Sequence, residues 1–184
     1  MRLIQSGMLA SLLLIAASAQ AAEFNQVQYN QSAITFGYKQ MGVPMEGKFG
    51  QFTARIAFDP AKLAAARAQI DVMLSSIDTG SADADEAVAG KLWFDAKTYP
   101  QASFTSTGIK SLGGNRYQAT GKLTIKGKTQ EMTVPVTFDR NMLNGSFNIK
   151  RLFFGIGDGE WRDLSTVADD IQIGFHLVVF TAKK

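Results

Sequence analysis

Arg151 is the side chain best suited to recognise the headgroup of a ligand. It follows Phe147 and Ile149 at two-residue spacing, so in a strand all three side chains would point to one apolar face. A guanidinium at the end of such a face can donate paired hydrogen bonds to a phosphate or to a quinone oxygen. The alternative is an ion pair with a carboxylate of the protein, such as Asp158 or Asp169. The sequence leaves both roles open.

Residues for other kinds of chemistry are scarce. His176 is the only histidine and the chain has no cysteine, which in practice excludes a zinc site and a Cys–His nucleophile. The acidic residues near the C-terminus lack the spacing of a calcium-binding loop and are better explained as solvated; they are Asp158, Glu160, Asp163, Asp169 and Asp170. No nucleophile elbow, phosphate-binding loop or dinucleotide fingerprint occurs. The sequence therefore favours a binding protein with no catalytic residues, metal or cofactor.

The elements that must position these residues are strands. Apolar side chains alternate with polar or small ones in about eight segments, which is the period of a strand with one buried face. These segments are residues 34–38, 52–58, 70–74, 102–104, 117–125, 132–138, 147–149 and 171–179. Glycine and asparagine at 113–115, 126–128 and 141–145 predict hairpin turns. Pro135 within a strand pattern indicates an edge, a bulge or a position that needs no ladder donor.

Two segments break the strand pattern. Residues 81–89 are the better helix candidate, because Ser81 can cap the first turn and Gly90 can end the helix. Residues 60–66 predict one to two helical turns after Asp59. Neither segment is long enough to connect parallel strands, so the simplest topology is an antiparallel meander in one domain.

Strands with one apolar face must cover that face, and a barrel does so by closing on itself. Eight strands give a lumen that is either filled by side chains or holds one small ligand, so the pattern alone allows a dry core as well as a pore. Phenylalanines and small residues share the inward positions, which favours space beside the rings. The predicted pore lining is Phe36, Phe52, Ile56, Phe58, Phe104, Leu123, Ile125, Phe147, Ile149 and Phe175.

The N-terminus has the three parts of a secretory signal. Arg2 precedes an apolar run at 9–17 that is shorter than the roughly 20 residues of a membrane span. Small residues at 19–21 predict cleavage after Ala21, which leaves 22–184 as one domain exported to the periplasm. The mature chain would carry 18 Lys and Arg against 16 Asp and Glu without a basic patch, which disfavours nucleic-acid binding. No later segment predicts a transmembrane anchor.

Several short motifs along the chain resemble those of the YceI-like, polyisoprenoid-binding family. Their order and spacing are more specific than any one of them, and together they cover nearly all of residues 23–182. They are Gly47-Lys48-Phe49-Gly50-Gln51-Phe52, Phe58-Asp59-Pro60, Ser76-Ile77-Asp78-Thr79-Gly80, Trp93-Phe94-Asp95 with Tyr99-Pro100, Phe104-Thr105-Ser106-Thr107, Gly121-Lys122-Leu123-Thr124-Ile125-Lys126-Gly127 and Arg151-Leu152-Phe153-Phe154-Gly155-Ile156-Gly157.

The resemblance implies an all-β, roughly eight-stranded, lipocalin-like antiparallel barrel with small helical insertions and a long apolar pore. It also implies a periplasmic protein that binds or transports isoprenoid quinones, polyprenyl phosphates or similar long-chain lipids, with no further cofactor. The chain departs from the family pattern at Gln31-Ser32, at Gln40-Met41-Gly42 and at 83–88. These positions are expected near the open ends of the barrel, so the departures bear on the headgroup more than on the fold. A lipid-modifying enzyme and a structural or stress-response barrel with a dry core are the alternatives, and barrels of this kind can form homodimers.

Overall fold

The computed structural model describes residues 23–182, which form one curled antiparallel sheet and one α-helix, α1 (Ala82–Ala89). Two strands have only two residues, β1 (Gln26–Val27) and β6 (Ile77–Asp78). The nine longer strands are β2 (Ala33–Gln40), β3 (Val43–Phe49), β4 (Phe52–Ala57), β5 (Arg67–Met73), β7 (Gln101–Gly113), β8 (Arg116–Ile125), β9 (Lys128–Asp139), β10 (Met142–Lys150) and β11 (Asp170–Phe180). The all-β, lipocalin-like fold class predicted from the sequence is confirmed.

The sheet runs in the order β4-β5-β7-β8-β9-β10-β11-β2-β3-β6 and curls so that the N-terminal segment joins its two sides. β1 pairs with the end of β11, while Phe24 forms an isolated bridge with Phe58 just beyond β4. The Tyr29 hydroxyl accepts a hydrogen bond from the Ala54 amide at 3.1 Å. The free edge of β4 is therefore covered by a bridge and a side chain instead of a full strand ladder.

The strand count differs from the sequence-based expectation because β3 was missed. Pro44 and Gly47 interrupt its pattern, and residues 43–46 are exposed on both faces, so no alternation is visible. β7 is also much longer than predicted. Register shifts between Ser106 and Gly108 and between Ser111 and Gly113 break its two-residue period, as β-bulges do.

The smaller predictions have mixed outcomes. α1 begins after Ser81, whose hydroxyl accepts from the Ala84 amide, and ends at Gly90, as expected. The segment after Asp59 forms only a turn and a short 3-10 helix (Leu63–Ala65), because the Asp59 carboxylate bonds the Ala61 amide and fixes a tight turn instead. Pro135 lies just beyond the point where the β9–β10 ladder ends, where no amide donor is required.

The interior contains two apolar clusters, one towards each end of the barrel. At the end closed by the N-terminal segment, the rings of Phe24, Phe58, Tyr117 and Phe138 meet edge to face with centroids 5.0–5.2 Å apart. We call this the closed end. Towards the other end, Leu74, Leu123, Ile149 and Phe154 are among the buried residues of the second cluster. None of the helices within residues 23–182 is both long and apolar enough to cross a membrane. The predicted signal, residues 1–21, lies outside the described residues.

Candidate functional site

A cavity of about 330 Å³ lies inside the curled sheet. Its lining includes residues from each of the nine longer strands and from α1, and it is overwhelmingly apolar. Many inward-facing residues in the middle of the strands, such as Ile70, Phe104 and Ile173, stay only half-buried although the sheet encloses them. The surface that they leave uncovered faces the cavity, so the interior is not the fully packed core that the same pattern also allowed.

Ten of the eleven residues proposed from the sequence as ligand-binding border this cavity. They are Phe36, Ile56, Phe58, Phe104, Leu123, Ile125, Phe147, Ile149, Arg151 and Phe175. Phe52 does not border it. Phe52 follows the expected alternation along β4, but β4 is an edge strand and lies at the seam, where the edge of the curled sheet meets the N-terminal segment. There the Phe52 ring packs edge-on against Tyr29 with centroids 5.4 Å apart.

Three phenylalanine rings lie flat against the wall over glycines. A Cβ atom added to Gly47, Gly121 or Gly145 would approach a ring closer than 3.0 Å, and the rings are those of Phe36, Phe104 and Phe175 respectively. Two of these pairs, Phe36–Gly47 and Phe175–Gly145, are direct cross-strand partners. Each glycine gives its ring room against the backbone, so large aromatic side chains line the wall without filling the cavity.

Arg151 has a structural role that the sequence did not predict. The residue is fully buried, and its five N–H groups donate to backbone carbonyls of the loop that follows β10. The acceptors, at 2.7–3.3 Å, are the carbonyl oxygens of Ile156, Gly157, Trp161, Val167 and Ala168. The sequence left two roles open for Arg151, a headgroup contact or an ion pair with a carboxylate of the protein, and neither is right. The Arg151 N–H groups donate to backbone carbonyls instead.

The surroundings of Arg151 confirm that it supports one side of the cavity. Its Cζ lies 5.6 Å from the centre of the Trp93 ring, and Trp93 lies 5.4 Å from Trp161. Burial lowers the pKa of the Arg151 guanidinium, while the charge of Asp169 acts in the opposite direction. Since Trp93 and Trp161 both border the cavity, this cation holds an aromatic wall in place.

We infer that the cavity opens to solvent beside α1, because Ala87 of its lining is exposed there. Half-buried Tyr38 and Gln40 of β2, Thr79, and Ala84 and Val88 of α1 border it there, and we call this group the mouth. These residues were not among the sites proposed from the sequence. Tyr38 does continue the Ile34 and Phe36 alternation, but nothing in the sequence indicates that α1 lies opposite it.

Electrostatics at the mouth depend on Asp85. Its carboxylate accepts hydrogen bonds from the Thr79 hydroxyl at 2.6 Å and from the Thr79 amide at 2.7 Å. These bonds lower the pKa of Asp85, so it is ionised at neutral pH. Burial, and to a smaller extent the charge of Asp85, raises the pKa of the Tyr38 phenol, so the phenol stays protonated and can donate a hydrogen bond.

The hairpin of β2 and β3 extends the inner surface beyond the mouth. Tyr38 pairs with Met45 and Gln40 pairs with Val43, so all four side chains share the face that lines the cavity. Exposure rises along this face, from 8% at Phe36 to 36% at Met45 and 57% at Val43. The mouth is therefore bordered by an exposed apolar hairpin.

A curled antiparallel sheet around an apolar cavity defines a lipocalin-like barrel. The family model described as "YceI-like domain" matches residues 26–179, and the chain belongs to that family. A UPF0312 protein of Pseudomonas syringae pv. tomato is 31% identical over 180 residues, covering 89% of this chain and 94% of its own length. A UPF0312 protein of Pseudomonas putida strain W619 is 32% identical over 133 residues, covering 71% of this chain and 69% of its own.

Solved structures share the fold. BcnA of Burkholderia cenocepacia superposes with a TM-score of 0.81 at 50% identity, covering 85% of this chain and all of the BcnA chain. A polyisoprenoid-binding domain from Saccharophagus degradans gives a TM-score of 0.60 at 14% identity, covering 89% of this chain and all of its own. At that identity the second likeness shows the fold alone.

Proposed function

We propose that this protein binds a long-chain isoprenoid or another amphiphilic lipid, with the tail in the cavity and the headgroup at the mouth. The observation that carries the proposal is the cavity itself, which is about 330 Å³, apolar, and bordered by every long strand of the sheet. Ligand pockets in proteins start at about this volume. A cavity that opens at the mouth suits a molecule with one polar end and one apolar chain.

Tail burial supplies enough free energy for this role. Each CH₂ group moved from water into an apolar site contributes about 0.8 kcal/mol, so a chain of ten or more carbons gains several kcal/mol. Ordering the chain and the protein reduces that gain considerably. The flat rings of Phe36, Phe104 and Phe175 supply apolar contact along the wall.

The lining also supports binding in preference to catalysis. Among the described residues that border the cavity there is no carboxylate and no histidine. The Asp85 carboxylate, which accepts a hydrogen bond from the Thr79 hydroxyl, lies outside that lining and also accepts from the Thr79 amide, so it attaches α1 to the strand end. The Saccharophagus degradans domain with the same fold is named for polyisoprenoid binding, which is consistent with an isoprenoid tail as the ligand. Binding or carriage of a lipid, without modifying it, is the function that we infer.

The direct test is native mass spectrometry of the purified protein, followed by lipid extraction and identification. We expect a co-purified long-chain lipid in the wild type and its loss in Leu123→Arg, because Leu123 is buried and borders the cavity. Thr124→Arg is the matched control, since it adds the same charge to the next residue of β8, which bonds Thr129 on the outer surface. The control should keep its lipid.

A second variant protects this test against simple misfolding of Leu123→Arg. Ala119→Phe places an apolar ring in the cavity without burying a charge, because Ala119 borders it from the same strand. A folded Ala119→Phe protein, judged by its thermal transition, should bind less lipid. Lipid retention in both folded cavity variants, or no uptake by the wild type of any added lipid, would refute the proposal.

We extend the proposal to the cellular location. A signal cut after Ala21 would place the protein in the periplasm, where a lipid must cross water between two membranes. N-terminal sequencing of the protein from a periplasmic extract should begin at Ala22. A protein found in the cytoplasmic fraction with Met1 retained would contradict the location and leave the binding proposal standing.

A further inference from the structure

We propose that the mouth selects lipids with an uncharged, hydrogen-bonding headgroup over lipids with a phosphate, through the Tyr38 hydroxyl and the Gln40 amide. This inference rests on the proposed function and names the class of ligand that the same cavity takes. It follows from where the charges of the described residues lie and from which of them are already paired.

The cations that border the cavity are already bonded to the protein. Arg151 donates all five of its N–H groups to carbonyls, so none remains for a phosphate oxygen. Arg67, the other cation in the described lining, is exposed, bonds the carbonyls of Ala64 and Ala66 through Nη1, and follows Ala66 of the closed-end cluster. Lys39 lies between Tyr38 and Gln40 on β2, so alternation directs it to the outer face.

Two cations in the nearby loops, Lys126 and Arg162, are also engaged. The Lys126 ammonium donates to the carbonyls of Lys91 and Gly155 at 3.1 and 2.9 Å. Arg162 lies 3.6 Å from the Asp158 carboxylate. A phosphate brought to the mouth would therefore lose its hydration without gaining an ion pair from these cations, which is costly in an apolar site.

The charge that does lie at the mouth has the wrong sign for a phosphate. α1 carries Asp83, Asp85 and Glu86, and the Asp85 carboxylate is fixed by its two hydrogen bonds from Thr79. Thr79 borders the cavity together with Tyr38, so the carboxylate bonded to Thr79 lies close to where a headgroup would bind. A phosphate there would be repelled, whereas a hydroxyl or carbonyl headgroup would not.

Uncharged groups capable of hydrogen bonding are present at the same place. Tyr38 and Gln40 border the cavity, and within residues 23–182 neither side chain makes a hydrogen bond to another protein group. The phenol can donate one bond, and the amide can both donate and accept. Together they match a hydroxyl or carbonyl oxygen at the end of an apolar chain.

Three probes with one isoprenoid tail test this directly. Farnesene has no headgroup, farnesol has a hydroxyl, and farnesyl phosphate has an anion. Titration of the delipidated full-length mature protein at neutral pH should give a farnesol affinity at least about tenfold higher than that for farnesyl phosphate. Tyr38→Phe should lower the farnesol affinity about five- to tenfold, the typical value of one lost hydrogen bond, and leave farnesene unchanged.

The second part of the test is a variant designed to gain phosphate binding. Gln40→Lys places a cation at the mouth and should raise the farnesyl phosphate affinity about tenfold or more, reversing the preference. Gln172→Lys is the matched control, because Gln172 is exposed on β11 beside β2 and carries the same substitution on the outer face. The control should preserve the preference for farnesol.

The outcomes separate the two proposals. Equal or tighter binding of farnesyl phosphate by the wild type overturns the headgroup inference while leaving lipid binding intact. An equal loss of farnesene and farnesol in Tyr38→Phe also overturns it, because Tyr38 would then act only by packing. If none of the three probes binds, including farnesene, the cavity does not take an isoprenoid chain, and the isoprenoid part of the proposed function fails with the headgroup inference.

Discussion

The closed end of the barrel and its mouth are held together by different forces. At the closed end, Phe24, Phe58, Tyr117 and Phe138 pack edge to face, and Val179 beside them is fully buried. Around the mouth, the loop after β10 depends on hydrogen bonds to Arg151, and the β2–β3 hairpin leaves Met41 70% exposed.

This difference indicates how one sheet can be stable and still keep an open cavity. Apolar packing at the closed end supplies stability that does not depend on a ligand. At the mouth, hydrogen bonds from Arg151 hold the loop that follows β10 in place. The part of the mouth formed by α1 and the β2–β3 hairpin can therefore stay open without destabilising the rest of the sheet. The division predicts that substitutions at the two ends have separable effects on stability and on ligand uptake.

The largest effect is expected for Arg151→Met. Removal of the guanidinium leaves five carbonyls without their donor, and loss of such a buried charged group typically costs about 3–5 kcal/mol of unfolding free energy. Urea denaturation measures the change. Lys150→Met is the control, because the Lys150–Asp170 pair is exposed and its removal should change stability little. A stable Arg151→Met protein would show that the loop does not depend on this cation.

Gly121→Ala tests the wall between the two ends. The added methyl group would collide with the Phe104 ring and with the Thr105 carbonyl, so either the ring moves into the cavity or the strand shifts. Overpacking of this kind costs about 1–3 kcal/mol, and we expect weaker lipid binding as well. Gly108→Ala on β7 has open space around the new atom and should be close to neutral in both measurements.

Phe58→Leu should lower stability more than it lowers ligand uptake, because Phe58 borders the cavity only from the closed end. Phe58 is 3% exposed and its ring meets both Tyr117 and Phe138, so the substitution should cost about 1–2 kcal/mol in thermal or urea denaturation. Phe153→Leu, at an exposed ring, should stay within about 0.5 kcal/mol. If Phe58→Leu abolished lipid retention while its stability was unchanged, the two ends would not be separable in the way described above.

Much of the wall could be predicted from the sequence, because strand alternation assigns a face to each residue before the fold is known. Ten of eleven lining positions follow from that rule. Phe52 fails because alternation does not say where the seam of a curled sheet lies, and Tyr29 occupies that seam. β3 was missed for a different reason, because Pro44 and Gly47 interrupt the alternation along this strand.

The partners of the polar side chains could not be predicted in this way. The inward direction of Arg151 followed from alternation, but its acceptors are carbonyls spread from Ile156 to Ala168, and backbone oxygens have no signature in a sequence. The residues that form the mouth could not be assigned to one site for a related reason. The pairing of Thr79 with Asp85 brings α1 beside the cavity, and only the folded chain shows which strand lies opposite.

The smallest expected effect concerns the attachment of α1 at the mouth. Asp85→Asn removes the charge that accepts two hydrogen bonds from Thr79, so the α1 amides should lose several-fold in hydrogen-exchange protection while β8 amides are unchanged. Because these bonds lower the pKa of Asp85, their stabilisation is complete above the ordinary pKa of an aspartate and is lost as the pH falls through the lowered value. Acidified wild type should therefore approach the variant in α1 protection. Asp83→Asn, on the same helix, should behave as wild type, and equal α1 protection in all three proteins at neutral pH would show that Asp85 does not hold the helix.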